Sequence, residues 1–171
     1  GNTVTYGLTG GADQAKFSIV SASGVLTFSS APDFETPTDT GTNNTYVVEV
    51  TATDDGSGTL TDLQTITVTV TNANDAPAIT SDGGGATASV NAAENQTAVT
   101  TVTSSDPDGN TVTYGLTGGA DQAKFSIVSA SGVLTFSSAP DFETPTDANT
   151  DNDYLVEVTV TDDGSGSLTD V

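Results

Sequence analysis

Acidic and amide side chains collect in short motifs at predicted turns. The motifs are Asp33-Phe34-Glu35, Asp54-Asp55-Gly56, Asn72-Ala73-Asn74-Asp75, Glu94-Asn95 and Asp106-Pro107-Asp108-Gly109-Asn110. Clustered carboxylates repel one another, and a divalent cation converts that repulsion into binding. Alternating Asp and Asn suits Ca²⁺, which takes about six to eight hard oxygen ligands. Each motif taken alone is equally well explained as a solvated turn that keeps the chain soluble.

The composition excludes several classes of chemistry. The chain has 171 residues, of which 23 are acidic and two are basic; it lacks His, Cys, Met and Trp, and its net charge is −21. This charge repels phosphate backbones and excludes nucleic acid as a partner. Without His and Cys there is no cysteine or histidine catalysis and no Cys/His zinc site. No apolar stretch approaches the roughly 20 residues that span a bilayer. We therefore expect a structural, binding or cation-dependent protein.

The chain repeats itself. Residues 1–39 recur letter for letter at residues 109–147, so the repeating unit is 108 residues long, a length typical of one β-sandwich domain. We expect residues 1–75 to be the C-terminal part of one repeat, without its first two strands, plus a linker. Residues 76–171 are expected to be the following repeat without its last strand. Because both predicted repeats are incomplete, we expect this sequence to be part of a longer array of such repeats. The alternative is a permuted fold in which neighbouring chains supply the missing strands.

Segments between the turns alternate apolar and polar residues with a period of two, which is typical of half-buried strands. The predicted strands of one unit cover residues 78–80 (continuing toward Val90), 99–103, 111–116, 124–127, 132–136, 154–161 and 64–71. Val99 and Val102 break the alternation and predict a β-bulge. The pattern predicts an all-β, seven-stranded Greek-key sandwich of the immunoglobulin-like kind, with no helix longer than one turn.

Taken together and in order, the motifs resemble the cadherin repeat. That repeat carries Glu-Asn near the end of its first strand, an Asp-x-Asp loop with a following Asn after the second, and Asp-x-Glu after the fifth. It then has Ala-x-Asp at the end of the sixth strand and an Asp-x-Asn-Asp-x-Pro linker. The matching residues here are Glu94-Asn95, Asp106-Pro107-Asp108-Gly109-Asn110, Asp33-Phe34-Glu35, Ala52-Thr53-Asp54 and Asn72-Ala73-Asn74-Asp75-Ala76-Pro77. The chain departs from the family at Asn72, where Asp is usual, and at Phe34 and Phe142, where Arg is common.

The resemblance implies calcium, as the cofactor, at sites between successive repeats. One site would take Asp33 and Glu35 from the lower repeat, Asn72, Asn74 and Asp75 from the linker, and Asp106, Asp108, Asn110 and Asp162 from the upper repeat. Glu94, Asp141 and Glu143 would form part of a second site, and Asp54 would be the matching residue of another junction. Ions held by two repeats and their linker would stiffen an otherwise flexible joint.

The function implied by the resemblance is a non-catalytic extender or adhesion repeat in a long extracellular array, similar to those of large bacterial surface adhesins or filament proteins. Its expected partners are neighbouring identical repeats and, in a fibre, other copies of the chain, without membrane insertion. The alternative is a carbohydrate-binding module for adhesion, although the chain lacks Trp and its Tyr and Phe rings are expected in the core. Catalysis by the paired carboxylates Asp54-Asp55 or Asp162-Asp163 is disfavoured, because adjacent residues at a strand end point to opposite sides.

Overall fold

The computed structural model describes residues 1–171, which divide into two compact units, Gly1–Ala73 and Asn74–Val171. Short antiparallel strands build both units. The helical elements are single 3₁₀ turns at Gln14–Lys16, Ser81–Gly83 and Gln122–Lys124, so the prediction of no helix longer than one turn is confirmed. None of these turns has the length or apolar character needed to cross a membrane.

Unit 1, residues 1–73, contains five strands. They are β1 (Val4–Gly10), β2 (Phe17–Ile19), β3 (Leu26–Phe28), β4 (Thr45–Asp54) and β5 (Thr61–Thr69). β4 is the centre of a sheet with the order β1-β4-β5, and β2 and β3 form a separate hairpin. The β4–β5 pairing runs from Thr45 opposite Thr69 to Thr53 opposite Thr61. The strand predicted at residues 64–71 is therefore present, shifted toward the N-terminus.

Unit 2, residues 74–171, contains eight short strands. They are β6 (Ala78–Ile79), β7 (Ala98–Thr101), β8 (Ser104–Ser105), β9 (Val112–Gly118), β10 (Phe125–Ile127), β11 (Val133–Phe136), β12 (Glu157–Asp162) and β13 (Thr169–Asp170). The sheets β10-β11-β7 and β13-β12-β9 form two layers, and β6 pairs with β8. The core lies between the layers, since residues of β10 and β11 pack against residues of β9 and β12.

An aromatic cluster occupies the core of each unit. In unit 1 the rings of Phe17 and Phe28 stack with centroids 4.7 Å apart, and Tyr46 meets Phe28 edge-on at 5.1 Å. The equivalent rings of unit 2 repeat both contacts at 4.8 and 5.1 Å. Offset stacking and edge contacts are the arrangements that aromatic pairs favour. The repeated sequence therefore gives nearly the same ring geometry in both units.

Two of the predicted strand boundaries are wrong. The first strand of the repeat does not continue toward Val90: β6 ends at Ile79, and Gly83 and Gly84 adopt left-handed φ values of 98° and 64° that break the extended chain. The strand predicted at residues 154–161 begins only at Glu157. The predicted bulge is confirmed, because Leu134 pairs with Thr100 and Thr135 with Ala98, which leaves Val99 as the extra residue.

Candidate metal centre

Unit 2 gathers predicted ligands from three segments at one end of the sandwich. The segments are residues 74–75, the loop 106–110 between β8 and β9, and the end of β12. The Asp75 N–H donates to Asp108 Oδ2 at 2.7 Å, Asn74 Nδ2 donates to Asp162 Oδ2 at 2.9 Å, and Asn110 Nδ2 donates to Asn74 Oδ1 at 2.6 Å. Three segments that are distant in sequence therefore bring carboxylate and amide oxygens into one cluster.

Asp106 organises the loop of this cluster. Its Oδ1 accepts the Asn110 N–H at 3.0 Å, and Gly109, with φ at 73°, closes the turn by donating to the Asp106 carbonyl. Its other oxygen, Oδ2, is buried and has no hydrogen-bond partner. A buried carboxylate oxygen without a partner is costly. A cation bound to this oxygen would supply the partner that the carboxylate lacks.

Asp162 is held rigidly at the end of β12. It is buried, and its Oδ1 accepts the N–H groups of Gly164 and Leu168, both at 3.0 Å. This leaves Oδ2 for the cluster. A Cβ at position 164 would meet the side-chain amides of Asn74 and Asn110, so both amides would have to move away from the backbone turn. Glycine at this position lets these amides lie close to the backbone turn.

The donor set fits a hard divalent cation. The six residues Asn74, Asp75, Asp106, Asp108, Asn110 and Asp162 offer carboxylate and amide oxygens, and no sulfur or imidazole nitrogen. The chain's two basic side chains, Lys16 and Lys124, lie in the 3₁₀ turns before β2 and β10. None of the three cluster segments therefore contains a basic residue that could neutralise the carboxylates. Oxygen ligands with unbalanced negative charge are the environment that Ca²⁺ prefers.

A second acidic group lies in the same unit. One carboxylate oxygen each from Glu94, Asp141 and Glu143 lies within 4.8 Å of the others, and all three residues are exposed. The Phe142 N–H donates to Glu94 Oε2 at 3.1 Å, and the Glu143 N–H donates to Asp141 Oδ1 at 3.1 Å. The first bond holds the loop after β11 against the segment before β7, and the second closes the turn within that loop. The predicted partial set is thus brought together within unit 2.

The remaining predicted ligands lie in unit 1. Asp33 Oδ1 accepts the N–H groups of Glu35 and Thr36, both at 3.0 Å, and Asn72 follows β5. Asp54 ends β4, and its Oδ1 accepts the N–H groups of Gly56 at 3.2 Å and Leu60 at 2.9 Å. Asp54 therefore makes the same turn as Asp162. Beside it lies the amide of Asn2, which approaches Gly56.

The rings inside the two Asp-x-Glu motifs are not core residues. Phe34 is 37% exposed and Phe142 is 64% exposed, so the expectation that every aromatic ring lies in the core is wrong. These loops are held by hydrogen bonds: local ones to Asp33 and Asp141, and ones from Asn44 and Asn152 to the carbonyls of Phe34 and Phe142.

Four buried aspartates were not predicted as important: Asp13, Asp39, Asp121 and Asp147. Asp13 accepts the Thr40 N–H at 2.7 Å and the Val47 N–H at 2.8 Å. Asp121 repeats this with Ala148 and Leu155. Such partners are distant in sequence and leave no local signal. Asp39, by contrast, accepts N–H groups only two to five residues ahead, which the turn preference of Asp could have indicated.

Asp13 is expected to make folding acid-sensitive. Burial raises the pKa of Asp13, but the N–H groups of Val47 and Thr40 outweigh burial and lower it overall. Stabilisation by this carboxylate is therefore complete above the unfolded pKa of about 3.9 and is lost as the pH falls through the lower folded pKa. Asp13→Asn should lower the free energy of unfolding of unit 1 by about 2 kcal/mol at pH 7. It should also reduce the further loss of that free energy as the pH falls. Urea unfolding between pH 7 and pH 2 measures both.

The control for this prediction is Asp62→Asn, since Asp62 is an exposed residue of β5. It should leave both stability and its pH dependence unchanged. Equal destabilisation by the two variants would contradict the role given to Asp13.

Comparison with known proteins places the fold. No protein-family model and no curated protein matches the chain. Among solved structures, the protocadherin gammaB4 extracellular domain is 26% identical, with a TM-score of 0.51, over 98% of this chain and 26% of that chain. The protocadherin gammaB7 EC3-6 cis-dimer is 27% identical, with a TM-score of 0.52, over 98% of this chain and 38% of that chain. The fold is cadherin-like.

Mouse cadherin-23 EC22-24 shares this fold, at 22% identity and a TM-score of 0.51, over 98% of this chain and 50% of that chain. The chain therefore spans between about a quarter and half of these structures. The predicted all-β sandwich of cadherin type is confirmed.

Proposed function

We propose that this chain is a non-catalytic repeat of an extracellular adhesion-type array, and that calcium stiffens its junctions. The observation that carries the proposal is the buried, unpartnered Asp106 Oδ2 within a cluster of six oxygen-bearing side chains. Bound calcium would supply the positive charge that this cluster lacks. Extracellular calcium modules bind with Kd values of about 10⁻⁴ to 10⁻³ M. Because calcium outside cells is on the order of millimolar, such a site would be occupied there.

The proposed ligands of unit 2 are of two kinds: some belong to the β-sandwich and some to the segment that enters it. Backbone N–H groups hold the Asp162 carboxylate in its turn and the Asp106 carboxylate in its loop. Asp75 and Asn74 belong to the segment that enters the unit, and they reach the same cluster through Asp108 and Asp162. Ligand binding there holds the entering segment against the β-sandwich. A linker so held loses its freedom to bend.

The proposal extends to the predicted ligands outside this cluster. Asp33, Glu35 and Asn72 would complete the junction from the preceding repeat, as the resemblance to cadherins implies. Glu94, Asp141 and Glu143 would begin the next junction, and Asp54 belongs to the one before. Each repeat would then contribute ligands to the junction before it and to the junction after it. Every junction of an array would be stiffened in this way.

The extracellular placement and the adhesion role are supported by the structural neighbours, which include protocadherin extracellular domains. The letter-for-letter repeat supports a long array, such as a surface adhesin or a filament, because copying one module adds length without adding new chemistry.

Small-angle X-ray scattering of the chain in 10 mM calcium and then in excess chelator tests the stiffening. We expect calcium to give the profile of a rigid particle and chelator to give that of two units joined flexibly. Asp108→Ala in calcium should reproduce the chelator profile, because Asp108 accepts the Asp75 N–H.

The matched control is Asp163→Ala. Asp163 neighbours the cluster in sequence, but its Oδ1 accepts the Thr111 N–H at 2.8 Å, and it is not one of the proposed ligands. This variant should keep the calcium response. A profile that is the same with calcium and with chelator would reject stiffening by calcium.

Carbohydrate binding remains the second candidate because Phe142 is an exposed ring, 64% accessible, between two carboxylates. A flat apolar ring beside hydrogen-bond acceptors is a platform for a sugar. Binding to a glycan array that is lost in Phe142→Ala but kept in Phe34→Ala would favour this role.

A further inference from the structure

Asn44 contacts three separate segments of unit 1. Its side-chain Nδ2 donates to the Phe34 carbonyl at 2.9 Å, its N–H donates to Asp39 Oδ1 at 3.0 Å, and its carbonyl accepts the Val70 N–H at 2.9 Å. The residue is buried, with 9% of its surface exposed. This one residue therefore joins the loop of residues 33–36, the turn that begins at Asp39 and the chain that follows β5.

Two of these segments carry predicted calcium ligands of unit 1. Phe34 lies between Asp33 and Glu35 in the sequence. Val70 lies two residues before Asn72. Asp33 Oδ1 accepts the Glu35 N–H at 3.0 Å, so the backbone of this loop determines where both carboxylates lie. The bond from the Asn44 side chain to the Phe34 carbonyl holds the same stretch of backbone.

The same arrangement occurs in unit 2 despite a different loop sequence. Asn152 Nδ2 donates to the Phe142 carbonyl at 3.2 Å, and the Asn152 N–H donates to Asp147 Oδ1 at 3.3 Å. Residues 39–45 and 147–153 differ at four of seven positions, yet both loops make these two bonds. The geometry therefore needs the Asp that begins the loop and the Asn five residues later, and it tolerates changes at most positions between them.

Burial of the Asn44 amide is unfavourable apart from its bond to Phe34. The amide Oδ1 is buried and has no hydrogen-bond partner, which raises the free energy of the folded state. The φ of Asn44 is 62°, a left-handed conformation that Asn tolerates and that glycine adopts freely. Glycine would therefore satisfy the backbone at this position, and what the Asn side chain adds is the bond to Phe34.

We propose that Asn44 is a positioning residue for the calcium ligands of unit 1, which holds the loop of Asp33 and Glu35 and the chain leading to Asn72 in place before the ion binds. This inference rests on the proposed function, since Asn44 is not itself a ligand. Ligands that are already in place lose less conformational freedom on binding. Residues that orient metal ligands in this way typically contribute about 10- to 100-fold to metal affinity.

The test is Asn44→Gly, which keeps the left-handed backbone and removes the amide. In chelator, exchange of the Glu35 and Thr36 N–H groups with solvent should become roughly tenfold faster, the equivalent of about one net hydrogen bond. In a calcium titration followed by NMR at the same two amides, the Kd should rise about tenfold. The first measurement needs no ion, so it tests the hold of Asn44 on the loop by itself.

Thr42→Gly is the matched control. Thr42 is exposed and has a left-handed φ of 48° in the same turn, so this variant places glycine at a similar position and leaves the Asn44 amide intact. It should change neither the exchange rate nor the Kd. In unit 2, Asn152→Gly should speed exchange at Glu143 and leave both values at Glu35 unchanged.

Val48→Ala separates positioning from a general loss of stability. Val48 lies in the core of unit 1, so this variant lowers the free energy of unfolding without removing a bond of Asn44. The calcium Kd measured at Glu35 should be unchanged in the folded protein. A rise in Kd equal to that of Asn44→Gly would overturn the inference.

Two further results would also overturn it. Exchange at Glu35 that stays the same in Asn44→Gly would show that the amide does not hold the loop. Faster exchange with an unchanged Kd would show that the hold does not serve calcium binding. A natural chain whose amides do not respond to calcium at all would reject the proposed function, and this inference with it.

Discussion

Calcium at 10 mM is expected to stabilise unit 2 against unfolding by about 2.7 kcal/mol, and Asp162→Asn should remove most of this gain. The figure follows from a Kd of about 0.1 mM and ligand at about 100 times that value. Asn keeps an Oδ1 that can accept the N–H groups of Gly164 and Leu168, so the turn survives while the charge is lost. Urea unfolding with and without calcium, followed at amides of β9 and β12, measures the difference.

Asp54→Asn is the matched control for this prediction. Asp54 makes the same two backbone bonds as Asp162, to Gly56 and Leu60. It differs in its surroundings, because Asp162 receives the Asn74 amide as well. Any loss of turn stability should therefore be equal in the two variants, and only Asp162→Asn should weaken the response to calcium. Equal calcium responses in both variants would show that the cluster of unit 2 is not the binding site.

The identity of the candidate ligands could be predicted from the sequence, but their geometry could not. Asp106 and Asp108 stand out because Asp, Pro and Gly in a short loop indicate a turn with oxygen ligands. That Asp106 would bury one unpartnered oxygen depends on how the loop packs. The close approach of the side chains of residues 74 and 110 to Gly164 likewise depends on how distant segments pack.

The fold shows a similar division. Period-two alternation indicated most strands, because each needs only its own apolar face. The continuation toward Val90 fails because glycine and left-handed backbone at residues 83 and 84 end the strand. The role of Asp13 depends on Val47, a partner in β4 that no local pattern identifies.

Burial is the property that sequence determines least here, as the repeated residues show. Phe28 and Phe136 have the same neighbours in sequence and the same ring contacts, at 5.1 Å from their tyrosines. Phe136 is 7% exposed because β7 covers it, and Phe28 is half-buried. For the tyrosines the order is reversed: Tyr46 is 1% exposed beside Val68 of β5, and Tyr154 is half-buried. A neighbouring strand, not the local sequence, sets the burial.

Four alanine variants should therefore show a crossed pattern of stability. Phe136→Ala and Tyr46→Ala should each cost about 4 kcal/mol in their own unit, as expected for a buried aromatic ring. Phe28→Ala and Tyr154→Ala should each cost about 2 kcal/mol, since less area leaves water. Both tyrosine hydroxyls accept one backbone N–H at 3.3 Å, from Thr38 or Thr146, so the hydrogen bond cancels in the comparison.

The pattern is measured by urea unfolding with amide signals assigned to β4 for unit 1 and to β12 for unit 2. A single weaker unit cannot imitate it, because each unit contains one costly and one tolerated substitution. Equal costs at equivalent positions would mean that the local sequence outweighs the neighbouring strand.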